Sequence, residues 1–221
     1  MKLIEQSSEI LSITPDPLRL IEKAGRTCWK SEEKIHWCNE RDDCPMPRDH
    51  CRNCTNRDSA IGFVEMLRKV GHESVLEHGV MTVRFVTNRS VTHELVRHRL
   101  ASFSQESTRY VKYDGEMEFI RPIWFNGLHE FDKNIETWKS AMMIAENHYK
   151  YLIAGGWRPE QAREVLPNAL KTEIVVTANF REWMHIFKLR CSPKAHPQIR
   201  ALMIDCREQA RKLVPVIFEE D

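Results

Sequence analysis

No run of about 18 apolar residues occurs in the chain, so the sequence offers no membrane-spanning helix. An excess of charge is missing too: 33 Lys and Arg stand against 32 Asp and Glu, a net +1. A chain so balanced is not drawn as a whole to nucleic acid or to a membrane surface. MKLIEQSSEILSI puts Glu5 and Glu9 where a secretory signal needs its apolar run, so the expected compartment is the cytoplasm. Seven cysteines, an odd number, argue against a closed set of disulfides. No internal repeat is visible, which excludes a repeat array. What is there is a soluble globular composition, 42% apolar and 29% charged. Its 221 residues suffice for one large domain, or a domain with an insertion.

Periodicity sorts the chain into alternating helices and strands. Residues 1–14 read as a short strand or edge segment, and Pro15 and Pro17 open a helix over PLRLIEKAGRTCW. A second helix starts at Ser59 and ends at Gly71, a residue suited to a left-handed cap. GVMTVRFVTNR and KTEIVVTAN have the β-branched alternation of strands. Ser90 is a candidate N-cap for SVTHELVRHRL, and RYVKY and MEFIRPI read as extended. Long amphipathic helices are expected at 133–154 and from Pro197 onward. A short one is expected in WRPEQAREVLP, and another over FREWMHIFKLR. The fold class is α+β, a mixed sheet with flanking helices.

Arg97, His98 and Arg99 fall at the end of a predicted helix, followed by a loop with Ser102, Ser104, Gln105, Glu106, Ser107, Arg109 and Tyr110. Alone, Arg97-His98-Arg99 reads as cations offsetting a helix dipole. With the serines and Arg109 ten residues on, the set suits a ligand carrying several phosphates. Guanidinium forks match phosphate oxygens in pairs, and hydroxyls complete the cradle. Ser107 has no His-Asp pair at useful spacing to activate it, so it reads as a phosphate contact and not as a nucleophile.

RHRLASFSQESTRY resembles the signature of flavin-dependent thymidylate synthases, Arg-His-Arg-x-x-Ser-x-Asn-x-x-Ser-x-Arg-Tyr. It matches at Arg97, His98, Arg99, Ser102, Ser107, Arg109 and Tyr110 and departs at Ser104. GHESVLEH at 71–78 is similar to the family's Gly-His-Glu-x-x-x-Glu-His, and AREVLP and NFREWMHIFKLR resemble later family segments, in family order. The resemblance implies one domain over residues 1–221 with an insertion at about 31–58. It implies reductive methylation of dUMP to dTMP. Methylenetetrahydrofolate would be the carbon donor, reduced FAD the hydride source and NADPH the reductant. It also implies a homotetramer whose active sites are shared between subunits.

Residue by residue, the resemblance gives Arg190 the catalytic role of stabilising charge on the uracil. It assigns Glu94, Arg97, Gln105, Ser107, Arg109, Arg163 and Arg190 to the substrate. His72, Ser74, Glu77, Arg97, His98, Arg99, Gln105, Asn179, Arg181 and His185 go to the flavin. Gln105 stands where many relatives carry Glu, which weakens any acid role there. Plainer readings stand beside these. Asn179 suits a helix N-cap, Glu77 an arginine partner, His185 a core position and His78 packing at a strand entry.

Cys38, Cys44, Cys51 and Cys54 crowd the polar insertion, with His36 and His50 among them. Cys51-x-x-Cys54 has the spacing of a zinc half-site, while Cys38-x5-Cys44 is looser. Structural zinc, on one side, and a loop of free thiols or an opportunistic disulfide, on the other, are equally compatible with that pattern. One alternative function is a zinc-supported nucleic-acid or nucleotide-binding module using the Arg-His-Arg cluster. Another is a different flavoprotein sharing only the phosphate cradle.

Overall fold

A computed structural model describes residues 1–37 and 58–219. Cys38, Cys44, Cys51 and Cys54, and with them the zinc expectation and His50, lie outside the described residues. The helices begin and end on local chemistry. Helix α1 (Pro17–Trp29) has proline in its first turn. Helix α2 (Ser59–Val70) starts where the Asp58 side chain accepts from the Ala60 N–H, and it stops at Gly71 with φ 76°. A short 3-10 helix at Glu73–His78 then leads into strand β3 (Val80–Asn88).

Four strands form an antiparallel sheet in the order β2 (Ser7–Ile13), β3, β6 (Lys171–Asn179), β4 (Ala101–Gln105). Strands β1 (Lys2–Ile4) and β5 (Glu118–Ile120) pair in parallel in a sheet of their own. The α+β class with flanking helices therefore holds, but the sheet comes in two parts and its larger part is purely antiparallel. Alternation gives the large sheet two unlike faces. Met81, Val83 and Phe85 of β3 and Ile174 and Val176 of β6 are buried on one. They join Leu67 of α2, Trp183 of α6 (Phe180–Arg190) and Met203 of α7 (Pro197–Leu213) in one core. The opposite face is polar: Arg84 lies between Glu173 at 2.6 Å and Glu9 at 3.3 Å. A smaller core gathers Phe119 of β5, Met142 and Tyr149 of α4 (Lys133–Ala154), and Ala162 of α5 (Pro159–Ala162).

Strands β3 and β6 pair over their full lengths, and this pairing aims α6 at the site. The turn before β3 is tight: a Cβ on Gly79 would lie 2.3 Å from the Phe180 ring. Phe180 is fully buried, and its N–H donates to the Gly79 carbonyl. One further anchor is the Trp183 indole, which donates to the Met81 carbonyl at 2.9 Å.

Four local expectations are corrected. The N-cap of α3 (Arg89–Leu95) is Asn88, whose side chain accepts from the Val91 N–H, and not Ser90. Arg97-His98-Arg99 follows that helix instead of ending it. The expected loop after it contains β4, whose ladder with β6 meets its backbone hydrogen bonds. RYVKY forms no strand.

Candidate active site

Helix α6 carries functional side chains of the site at both of its ends. At its start Asn179 is the N-cap, its side-chain oxygen accepting from the Glu182 N–H at 2.8 Å. The exposed flank of the helix presents Arg181, His185 and Lys188 to a groove of about 1040 Å³, also lined by Glu77 and Arg207. Arg181 pairs with Glu77 at 2.7 Å and Glu73 at 3.6 Å. Water screens exposed pairs of this kind, so a phosphate can replace the carboxylates at small cost. His185 is exposed and not a core histidine, and His78 is exposed and not packed.

The end of α6 is organised differently. The Arg190 guanidinium makes three hydrogen bonds. Nε donates to His98 Nε2 at 3.0 Å, one terminal nitrogen to Glu94 Oε2 at 2.5 Å, and the other to the Glu94 carbonyl at 2.9 Å. His98 is 6% exposed, and its Nδ1 faces Glu182 Oε1 at 3.6 Å. The His185 ring meets His98 edge-on at 6.0 Å, which links this cluster to the groove. Burial first, then the Arg190 charge and His185, push the His98 imidazolium down to about pKa 4. At neutral pH the ring is therefore uncharged and can accept from Arg190.

Strand β4 divides its residues by alternation. Ser102 and Ser104 point to the polar face, and Phe103 and Gln105 point inward. The Gln105 amide donates to the hydroxyls of Thr92 at 3.0 Å and Thr172 at 3.2 Å, so it is engaged inside the protein. In the turn beyond, Ser107 Oγ accepts from the Arg109 N–H at 3.3 Å. The Arg109 side chain rests 5.3 Å from the Tyr110 ring, and both residues are exposed. Glu106 ties the turn down: it accepts from the Tyr113 hydroxyl at 2.6 Å and pairs with Lys171 at 3.4 Å.

The predicted residues thus fall into separate sets. The groove collects Glu77, Asn179, Arg181 and His185. The Arg190 cluster collects Glu94 and His98. Gln105, Ser107 and Arg109 lie along β4 and its turn. Arg97, Arg99 and Ser74 are exposed, and Arg163 leans on its neighbour Glu164 at 3.8 Å. His72 is exposed with its ring edge-on to Trp29 at 6.0 Å. Sequence reasoning missed Glu182. The available signal was a carboxyl beside Trp183 and one turn before Ile186, on the buried stripe of α6.

The family model for the thymidylate synthase complementing protein matches residues 9–216. The chain belongs to the flavin-dependent thymidylate synthase family. A flavin-dependent thymidylate synthase of Geobacter sulfurreducens is 34% identical over 212 residues, covering 96% of this chain and 84% of that protein. One from Corynebacterium efficiens is 35% identical, covering 90% and 77%. Among solved structures, the UMP/dUMP methylase PolB from Streptomyces cacaoi, bound with 5-Br dUMP, matches with TM-score 0.75. It covers 99% of this chain and 96% of that chain at 23% identity, a likeness of fold. None of these matches supports a nucleic-acid-binding module. No helix of the described residues is long and apolar enough to cross a membrane.

Proposed function

We propose that the protein methylates dUMP to dTMP, with Arg190 meeting the uracil. The observation that carries this reading is the arrangement at Arg190. Guanidinium has five N–H groups, and protein acceptors hold three of them. The other two are left for a ligand, on a group already fixed in direction. A fixed cation beside developing negative charge needs no reorganisation as the reaction proceeds. Glu94, whose side chain and carbonyl both hold Arg190, would lie beside the same uracil. Arg97, Ser107, Arg109 and Arg163 take the phosphate end, where exposed guanidiniums suit an anion arriving from solvent. Gln105 precedes this turn and is itself held from inside by Thr92 and Thr172.

FAD, when reduced, supplies the hydride, with NADPH as its reductant and methylenetetrahydrofolate as the carbon donor. The groove along α6 fits such a cofactor. At about 1040 Å³ it is at the upper end of the range for ligand pockets, and its cations are Arg68, Arg181, Lys188 and Arg207. Arg181 would take a phosphate in exchange for Glu77, with His185, Asn179, His72 and Ser74 along the flanks and Arg97 and Arg99 from the β4 side. Leu100 at 74%, Tyr110 at 77% and Leu189 at 47% exposure surround the site with uncovered apolar surface. That surface supports a homotetramer in which other copies complete the pocket. The test is dTMP formation from dUMP, methylenetetrahydrofolate and NADPH. Arg190→Ala should abolish it while the protein still folds and binds FAD; unchanged turnover would refute the role of Arg190.

A further inference from the structure

Arg190 is only as well placed as the ring that holds it. Its Nε–H needs an acceptor at His98 Nε2, 3.0 Å away. A neutral imidazole accepts on one nitrogen and donates on the other. His98 can therefore serve Arg190 in one tautomer only, with its proton on Nδ1. In the other tautomer two N–H groups would face each other, and a buried donor would lose its partner. The group facing Nδ1 is Glu182 Oε1, at 3.6 Å. Both side chains are nearly inaccessible, with His98 at 6% and Glu182 at 7% exposure, so water offers little alternative. The charged or titratable groups facing His98 are Glu182, His185 and Arg190, all of α6.

Resting on the assignment of Arg190 to the uracil, we propose that Glu182 is a positioning residue. It selects the Nδ1–H tautomer of His98 and so fixes the direction of the Arg190 guanidinium. His98 then acts on Arg190 from behind, through Nε2. The placement of Glu182 on α6 supports this role. It sits one turn past the N-cap, where the helix is anchored by Asn179 and by the buried Trp183. Glu182 and Arg190 therefore ride on one rigid element, eight residues apart, with His98 inserted from the segment after α3.

The experiment reads the tautomer directly, by imidazole 15N shifts in the ligand-free protein at pH 7. The wild type should show the neutral Nδ1–H form of His98. Glu182→Gln keeps an acceptor oxygen and should keep that form. Glu182→Leu should shift it toward Nε2–H, with kcat for dUMP methylation down about tenfold, the scale of one lost hydrogen bond. His98→Gln offers Arg190 an amide oxygen without a tautomer choice. In that background Glu182→Leu should cost no further kcat; a second tenfold loss would overturn the proposal. So would an Nε2–H wild type, a measurement that needs no variant to fold. A wild type with the Nδ1–H form but no dTMP formation would sink the proposed function and leave the tautomer selection standing.

Discussion

Arg190 and Arg109 are assigned to the two ends of one nucleotide, and the protein treats them oppositely. Arg190 has a side chain 18% exposed, held by His98 and twice by Glu94. Arg109 is exposed and lies on the Tyr110 ring at 5.3 Å. The difference follows from the work each would do. A cation that meets charge developing during a reaction helps only if it is already aligned. A cation that meets a phosphate meets a charge that is complete before binding, and the ligand itself can order it. The chain fixes one guanidinium beforehand and leaves the other free to close on its anion.

The sharpest way to break this contrast is Arg190→Lys. Lysine keeps the charge but loses the planar fork and with it the three directed bonds. We expect kcat to fall on the order of 100-fold, the scale of a lost preorganised donor. A variant that kept wild-type kcat would show that charge alone suffices and that the fixed geometry is incidental. Arg109→Ala is the counterpart. Hydrogen bonds to charged groups are worth about 1.5–3 kcal/mol, so the KM for dUMP should rise roughly tenfold or more. The melting temperature should stay put, because exposed residues of this kind contribute little to stability. A fall in kcat with unchanged KM would place Arg109 at the chemistry and end the contrast.

The held arginine should also carry a pH signature. His98 titrates near 4 in the fold, against an ordinary value of 6.5. Between those values the unfolded chain binds the proton and the fold does not. Stability is therefore full above about pH 6.5 and declines as pH falls toward 4. The slope from one proton is at most about 1.4 kcal/mol per pH unit. Thermal melts from pH 7 to 4.5 should show this decline in the wild type and less of it in His98→Gln. Equal declines would mean that His98 is not the group responsible.

Much of the fold was legible because local signals agreed. Pro17, Gly71 and Asn179 mark element boundaries by their own chemistry, and β6 and α6 begin and end where their periodicity changes. Strand β4 was not legible. Ala-Ser-Phe-Ser-Gln does alternate, but it is short and rich in serine. Its strand character comes from pairing with β6, which lies about 70 residues away in sequence. The same limit applies to the site. The motif placed arginines near phosphates by residue type, but contacts across the fold decide which of them is held. The motif says nothing of the hydroxyls of Thr92 and Thr172, to which the Gln105 Nε2 donates across the fold. Glu182 reads as an ordinary helix carboxyl until His98 is seen against it.

The smallest effect is expected where the free arginine meets the fixed scaffold. Glu106 stands three residues before Arg109 and is tied by Tyr113 and Lys171, while its carbonyl accepts from Arg89 at 3.0 Å. Burial and the bond to Glu106 push the Tyr113 hydroxyl above its ordinary range, so it stays protonated and donates at any working pH. Tyr113→Phe removes one neutral donor to a carboxyl that keeps Lys171. The loss should be about 1 kcal/mol, or roughly 2–4 °C in melting temperature for a chain of this size. The KM for dUMP should change less than twofold, because the ligand orders Arg109 and the turn's remaining ties hold its base. A rise in KM as large as that of Arg109→Ala would mean that Arg109, too, is positioned in advance, and the two arginines would then differ in exposure alone.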